Sequence, residues 1–265
     1  MPSSSPRDLS RNLSRPIREL SADADDHTVA AALASAAGRR LLDIRTEIGF
    51  TDAAALKSAG DQGAQDLLAD QLARLRPDDS VLSEEARDDP ARLHASRVWI
   101  IDPLDGTREF SEAGRSDWAV HVALWIEGVV TVGAVALPAR GITLCTPVVP
   151  APPAYSGRPR VVVSRTRPPA VAQVVAVALD AEFVPLGSAG AKVSAVLLGE
   201  AEVYVHGGGQ YEWDSAAPVA VAKAAGLHAS RLDGSDLVYN QADPYLPDLV
   251  VCHQHLREAV LKALR

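Results

Sequence analysis

The chain has 265 residues, 47% of them apolar, and a formal net charge of −8 at neutral pH, so it can bury a full core as one large domain or two packed lobes. Its Lys and Arg form no stripe, which argues against a nucleic-acid polymer or an anionic membrane as partner, since both need a positive footprint; a small anionic substrate stays open if a cation mediates. The two cysteines, Cys145 and Cys252, are too few for a disulfide framework and point to a reducing, cytoplasmic setting.

Residues 1–26 carry Ser, Arg and Pro without an apolar signal region, and no later run reaches the ~18 apolar residues of a membrane span. They read as a flexible N-terminal arm. Asp25 or Asp26 can then cap a helix whose stripe is Val29, Leu33, Ala37, Leu41 and Ile44. A second helix is expected after Asp61, with stripe Ala64, Leu68, Leu72 and Leu75, ended by Pro77. Val81-Leu82 reads as the end of a buried strand leading to Ser83-Glu84-Glu85. Val98 to Ile101 is a continuous apolar run that predicts a central strand stopping at Asp102-Pro103. Trp118, Val120, Val122 and Leu124 alternate, Glu127-Gly128 can turn the chain, and Val129 to Leu137 returns it as a hairpin. These elements make an N-terminal α+β lobe over 27–146, with a helix pair on an antiparallel sheet.

The proline-rich stretch 147–157 reads as a linker. Beyond it, over 158–265, strands at Val161–Val163, Phe183-Val184 and Val203–Val205 alternate with helices at Ala170–Leu179 and Ala191–Leu198. A helix over Ser215–Ala225, a strand at Leu249–Val251 and a final helix follow, and the alternation describes a layered α/β lobe.

Acidic residues stand where these elements end: Asp61 before a helix, Glu84 after a strand, Asp102 and Asp105 after another, and Asp214 before a helix. Magnesium demands hard oxygen ligands, and a phosphatase using two such ions must gather several carboxylates. In Asp102-Pro103-Leu104-Asp105-Gly106-Thr107 both carboxylates and the Leu104 carbonyl can share one cavity, while Gly106 and Thr107 offer N–H groups to a phosphate and Thr107 a hydroxyl to a water. Taken singly, Asp61 and Asp214 fit helix caps, Glu84 a solvated loop, and Asp102-Pro103 ordinary turn chemistry. Together they end four separate apolar elements, where open sheets place ligand sites.

The string Trp99-Ile-Ile-Asp-Pro-Leu-Asp-Gly-Thr107, with Ser83-Glu84-Glu85 before it and Glu212-Trp213-Asp214-Ser-Ala-Ala217 after it, resembles the lithium-sensitive inositol monophosphatase-like family from His27 onward. The resemblance implies an α-β-α-β-α sandwich, and magnesium ligands at Glu84, Asp102, the Leu104 carbonyl, Asp105 and Asp214. It also implies a water activated by Thr107 with Asp61 behind it, two Mg2+ ions with a weaker third, and a homodimer as often found among relatives. The family's Pro-Val-Thr-x-x-Asp pattern is here Lys57-Ser58-Ala59-Gly60-Asp61, which keeps the Asp and sets Ser58 near the usual Thr. Val163 to Arg167, Gly187 to Lys192, and Tyr239-Asn240 with Pro247-Asp248 look like the 3′-phosphoadenosine 5′-phosphate (PAP) phosphatases. By that likeness Ser164, Arg167, Ser188 and Lys192 face the nucleotide, although Arg167 stands where relatives carry His.

The implied activity is removal of the 3′-phosphate of PAP or of its sulfonated precursor, in sulfate activation. Inositol monophosphatase and fructose-1,6-bisphosphatase activities are the alternatives on the same fold. Independently of the resemblance, Lys192 with Arg165 or Arg167 could hold a second phosphate; the plain alternative for each is a solvated surface charge. A haloacid-dehalogenase site would set its aspartates two apart, whereas Asp102 and Asp105 are three apart. A non-catalytic module would be expected to have lost an acid.

Overall fold

A computed structural model of the chain describes residues 17–265. Helix α1 (Asp26–Ile48) begins where Asp25 accepts the Thr28 amide at 3.0 Å, which satisfies one of the orphan N–H groups of a first turn. All five stripe residues of α1 are buried. Helix α2 (Ala53–Leu75) starts earlier than its stripe announces, because Asp52 caps it by accepting from Ala54 and Ala55. Asp61 therefore lies inside the helix and not ahead of it. The opening turns bury little besides Leu56, so no periodicity marks them. Gly60 and Gly63, which look like breakers, are close-contact points: an added Cβ would lie 2.6 Å from Phe110 and 2.6 Å from Ile44, respectively.

The first sheet comprises β1 (Ser80–Ser83), β2 (Arg97–Asp105), β3 (Ala119–Ile126), β4 (Val129–Leu137) and β5 (Ile142–Cys145), in that spatial order. It is mixed and not wholly antiparallel, since β1 pairs parallel with β2. Strand β2 also continues through Pro103 to Asp105, its register with β3 shifting between Asp102 and Asp105. A proline lacks the ladder N–H, so it suits such an irregularity, which re-aims the side chains around it. Glu127 and Gly128, at φ 45° and 101°, make the turn from β3 to β4, a geometry that matches strand twist.

The second sheet has β6 (Arg160–Ser164), β7 (Glu182–Leu186), β8 (Val203–Tyr211), β9 (His228–Ser230) and β10 (Tyr245–Cys252) in the order β7-β6-β8-β10-β9. The remaining helices are α3 (Thr107–Phe110), α4 (Ala170–Leu179), α5 (Ala189–Leu197), α6 (Glu212–Ala224) and α7 (Arg257–Ala263).

Strand alternation sorts the core into layers. Trp99 and Ile101 of β2 pack on α1 and α2 with Leu41 and Leu68. Val98 and Ile100, on the other face, join Val193 and Val196 of α5, Val219 and Val221 of α6, and Val162 and Val251 of the second sheet. Val161 and Val163 point outward to Val175 of α4 and Val260 of α7. The result is the expected α-β-α-β-α sandwich, in which α5 and α6 are covered by a sheet on each side. Of the arm expected over 1–26, residues 1–16 lie outside the described part. The rest is docked, with Arg74 donating to the Ile17 and Leu20 carbonyls at 2.9 Å each and Arg76 to Ala22 and Ala24.

Candidate active site

Four chain segments converge at one end of β1 and β2. The Glu84 amide donates to the Ile101 carbonyl at 3.4 Å, which sets Glu84 beside Asp102. Asp102 is 1% exposed; its Oδ1 accepts the Leu104 amide at 3.0 Å, and its Oδ2 has no hydrogen-bond partner. Asp105 is received by the start of α5, accepting from the amides of Ala189 at 3.1 Å and Gly190 at 2.6 Å. Asp214 is the third residue of α6, not the residue before it, and accepts the Tyr211 amide at 2.7 Å.

The electrostatics are those of crowded anions. Burial first, then Glu84, Asp105 and Asp214, push the Asp102 carboxyl well above its ordinary range. Loss of water around Glu84, then the charges of Asp214 and Asp105, raise it to about 7 although the residue opens to solvent. Burial and Asp105 likewise raise Asp214 to about 7. Asp105 goes the other way: burial opposes its charge, but His121, Lys192 and the Gly190 amide hold it at about 2.

Thr107 opens α3, its hydroxyl 3.3 Å from the Leu104 carbonyl and 3.5 Å from Asp61. Asp61 is raised to about 6, mainly by burial and then by Glu85. Gly106 holds φ 88°, and a Cβ there would lie 2.8 Å from Ser188, so only glycine lets this turn approach α5.

The nucleotide-side expectations fare differently. Lys192 is not a solvated surface charge. It is 6% exposed, donates to the Gly187 carbonyl and to the Ser188 carbonyl at 2.7 Å, and lies over the Tyr204 ring at 5.5 Å. Burial lowers its pKa against the pull of Asp105 and Asp214. Ser188 is buried too, and its hydroxyl caps α5 by accepting the Ala191 amide at 2.9 Å. Arg165 is engaged with Glu109 at 2.8 Å and Glu112 at 2.9 Å. Ser164 ends β6 and accepts the Arg167 amide at 3.2 Å, while Arg167 is exposed.

One participant has no counterpart among the residues singled out in the sequence. His121 is fully buried and pairs in register with Asp102 across β2 and β3. Its Nδ1 lies 2.9 Å from the Trp213 carbonyl and its Nε2 3.2 Å from Asp105. Both neighbours are acceptors, which suits the imidazolium, and its pKa is raised by Asp105 in spite of burial. A clue was available, since His121 sits on the face of β3 opposite its apolar stripe, directly across from an aspartate.

The donor set fits a divalent cation. Atoms of Asp102, Asp105 and His121 lie within 4.8 Å of one another, and Asp102 Oδ2 is a buried carboxylate oxygen without a protein partner, an acceptor that a cation would satisfy. With Nδ1 beside the Trp213 carbonyl and Nε2 in charge contact with Asp105, the imidazole is placed as an outer partner of Asp105, and the oxygens of the cluster have the hard character a divalent cation takes.

Two sheets among three helical layers, with a carboxylate cluster where strand ends meet the starts of three helices, define a layered protein with a candidate metal centre. A profile of the inositol monophosphatase family matches residues 16–265, and the chain belongs to that family. It is 53% identical over 261 residues, covering 94% of this chain and 96% of the relative, to a 3′-phosphoadenosine 5′-phosphate phosphatase of Mycobacterium leprae. It is also 33% identical over 205 residues, 71% and 81% of the two chains, to the 3′(2′),5′-bisphosphate nucleotidase CysQ of Escherichia coli. Among solved structures, inositol monophosphatase II of Staphylococcus aureus superimposes with a TM-score of 0.75 at 20% identity, covering 88% of this chain and 92% of that one. No helix among the described residues is long and apolar enough to cross a membrane.

Proposed function

We propose that the chain is a phosphoric monoester hydrolase that removes the 3′-phosphate of PAP to give AMP. The observation carrying this reading is near full-length identity of 53% to a relative of that name, in a chain that keeps the whole acidic set. Two Mg2+ ions, with a weaker third, would be held by Glu84, Asp102, the Leu104 carbonyl, Asp105 and Asp214, and when bound would supply an acidified water and charge stabilisation for the leaving oxygen. Thr107 orients the attacking water and Asp61 takes up its proton. Their mutual approach and the raised Asp61 carboxyl support this pairing. Gly106 and Thr107 offer amides to the reacting phosphate. His121 and the α5 amides hold Asp105 ionised in the orientation it needs. Ser164 and Arg167 line the nucleotide side, and the buried Ser188 and Lys192 shape the loop beneath it.

The test is phosphate release with Mg2+ from PAP, its sulfonated form, inositol 1-phosphate and fructose 1,6-bisphosphate. PAP should give the highest kcat/KM, and Asp105→Asn should remove turnover while leaving the circular dichroism spectrum unchanged. Equal or faster hydrolysis of inositol phosphate would replace the substrate assignment; an active Asp105→Asn protein would overturn the site.

A further inference from the structure

Between Glu84 and the start of β2, residues 84–94 face solvent with one exception, Arg92, which is 1% exposed. Arginine is among the side chains least often fully buried, and the adjoining Leu93 stays 37% exposed. The segment that begins with Glu84 is thus moored by a charged group and not by an apolar one.

All three nitrogens of the guanidinium donate. Its Nε and Nη2 fork onto Asp88 at 2.6 and 3.0 Å, Nη1 donates to Asn240 Oδ1 at 2.7 Å, and Nη2 also donates to the Gln241 carbonyl at 2.9 Å. Asn240 Nδ2 donates back to the Arg92 carbonyl at 3.3 Å. Asn240 adopts φ 61°, and its loop is gripped from beneath by Glu212, 1% exposed, whose oxygens accept the amides of Asn240 at 2.6 Å and Gln241 at 2.7 Å. Glu212 is the first residue of α6, the helix whose first turn carries Asp214. Groups 148 positions apart in sequence therefore link the segment headed by Glu84 to the helix end bearing Asp214.

We propose that Arg92, Asn240 and Glu212 form a clamp that sets the spacing of Glu84 and Asp214, which makes Arg92 a positioning residue for the metal site. Glu84 and Asp214 are both carboxyls and repel when ionised, and the one buried side chain of the segment between Glu84 and β2 is Arg92. A buried charged network breaks expensively when one member is removed and imposes a defined geometry while complete. The inference rests on the reading of Glu84 and Asp214 as cation ligands.

The experiment compares wild type with Arg92→Met, Arg92→Lys and Asn240→Gly, the last keeping the positive φ while deleting the side chain. Calorimetric Mg2+ titration and amide hydrogen exchange of the metal-free protein are the readouts. The clamp requires a Mg2+ dissociation constant raised about tenfold in Arg92→Met and Asn240→Gly, the lower end of the loss seen when a group bonded directly to a metal ligand is removed. It also requires faster exchange confined to residues 84–97, with partial recovery in Arg92→Lys. Unchanged Mg2+ affinity, or exchange accelerated evenly through the molecule, would overturn it. Wild type that bound no Mg2+ would instead remove the ligand reading on which it rests.

Discussion

Lys192 and Arg167 look alike in the sequence, as basic residues beside candidate nucleotide loops, and the structure separates them. Nothing in the one-dimensional pattern reveals that the Lys192 ammonium turns inward to the Gly187 and Ser188 carbonyls, because that depends on how α5 abuts Asp105. Bonds from a charged donor contribute about 1.5–3 kcal/mol each. Lys192→Met should therefore lower stability in urea titrations by roughly that amount and reduce kcat/KM for PAP and inositol 1-phosphate together. Arg167→Ala should leave the unfolding midpoint unchanged and lower kcat/KM for PAP by about tenfold while sparing inositol 1-phosphate, which has no second phosphate to meet it. Steady-state kinetics on both substrates separate the two; a loss restricted to PAP in Lys192→Met would restore that residue to the nucleotide side. The carboxylates proposed to hold the cation were legible because Glu84, Asp102 and Asp105 follow apolar runs and Asp214 opens a helix. His121 left a weaker trace, a polar residue on the face of β3 opposite the apolar stripe, because a single buried histidine carries no periodic signal of its own.

At the level of elements, the stripes of α1, the later turns of α2 and the hairpin were readable from apolar spacing, as were the strands buried on both faces. The start of α2 and the end of β2 were not: the opening turns of α2 bury little besides Leu56, and both elements run through residues of poor propensity. Gly60 and Gly63 weaken a helix that tertiary packing then enforces, and Pro103 sits in a strand whose register slips around it. Gly190 is the same kind of residue at the site itself. An added Cβ would meet His121 Nε2 at 2.1 Å and the Ala119 side chain at 3.0 Å. Alanine normally favours a helix over glycine by about 1 kcal/mol, yet Gly190→Ala must push α5 away from β3 and loosen both amides from Asp105. Destabilisation of about 1–3 kcal/mol is expected, together with weaker Mg2+ binding. Calorimetry of unfolding and of Mg2+ titration checks this, and a stabilised variant with unchanged metal affinity would contradict it.

For the molecule as a whole, alternation of elements made a layered α/β arrangement legible, but the placing of α5 and α6 between two sheets came from resemblance alone. Periodicity records that a face is buried and not which neighbour buries it. The layering has an energetic consequence at the site. The middle helices are fixed on both sides by hydrophobic packing, so their ends cannot move away to relieve the carboxylates they bring together. The strain of crowded anions is then borne by the global stability of the metal-free protein. Asp102→Asn keeps an acceptor for the Leu104 amide and cannot ionise, so it is spared the cost of burying a charge or of taking up a proton to avoid one, and in chelator it should be more stable than wild type by roughly 1–3 kcal/mol. Saturating Mg2+ should reverse the order. A cation at a hundred times its dissociation constant adds about 2.7 kcal/mol to the native state, and each kcal/mol moves the melting point of a chain this size by about 2–4 °C. Wild type should therefore gain several degrees on adding Mg2+ and Asp102→Asn little or none. Melting curves of both proteins, with chelator and with Mg2+, test this directly. If the metal-free variant melted below wild type, or if both rose equally with Mg2+, the carboxylate cluster would be a structural network in its own right and not a site built around a cation.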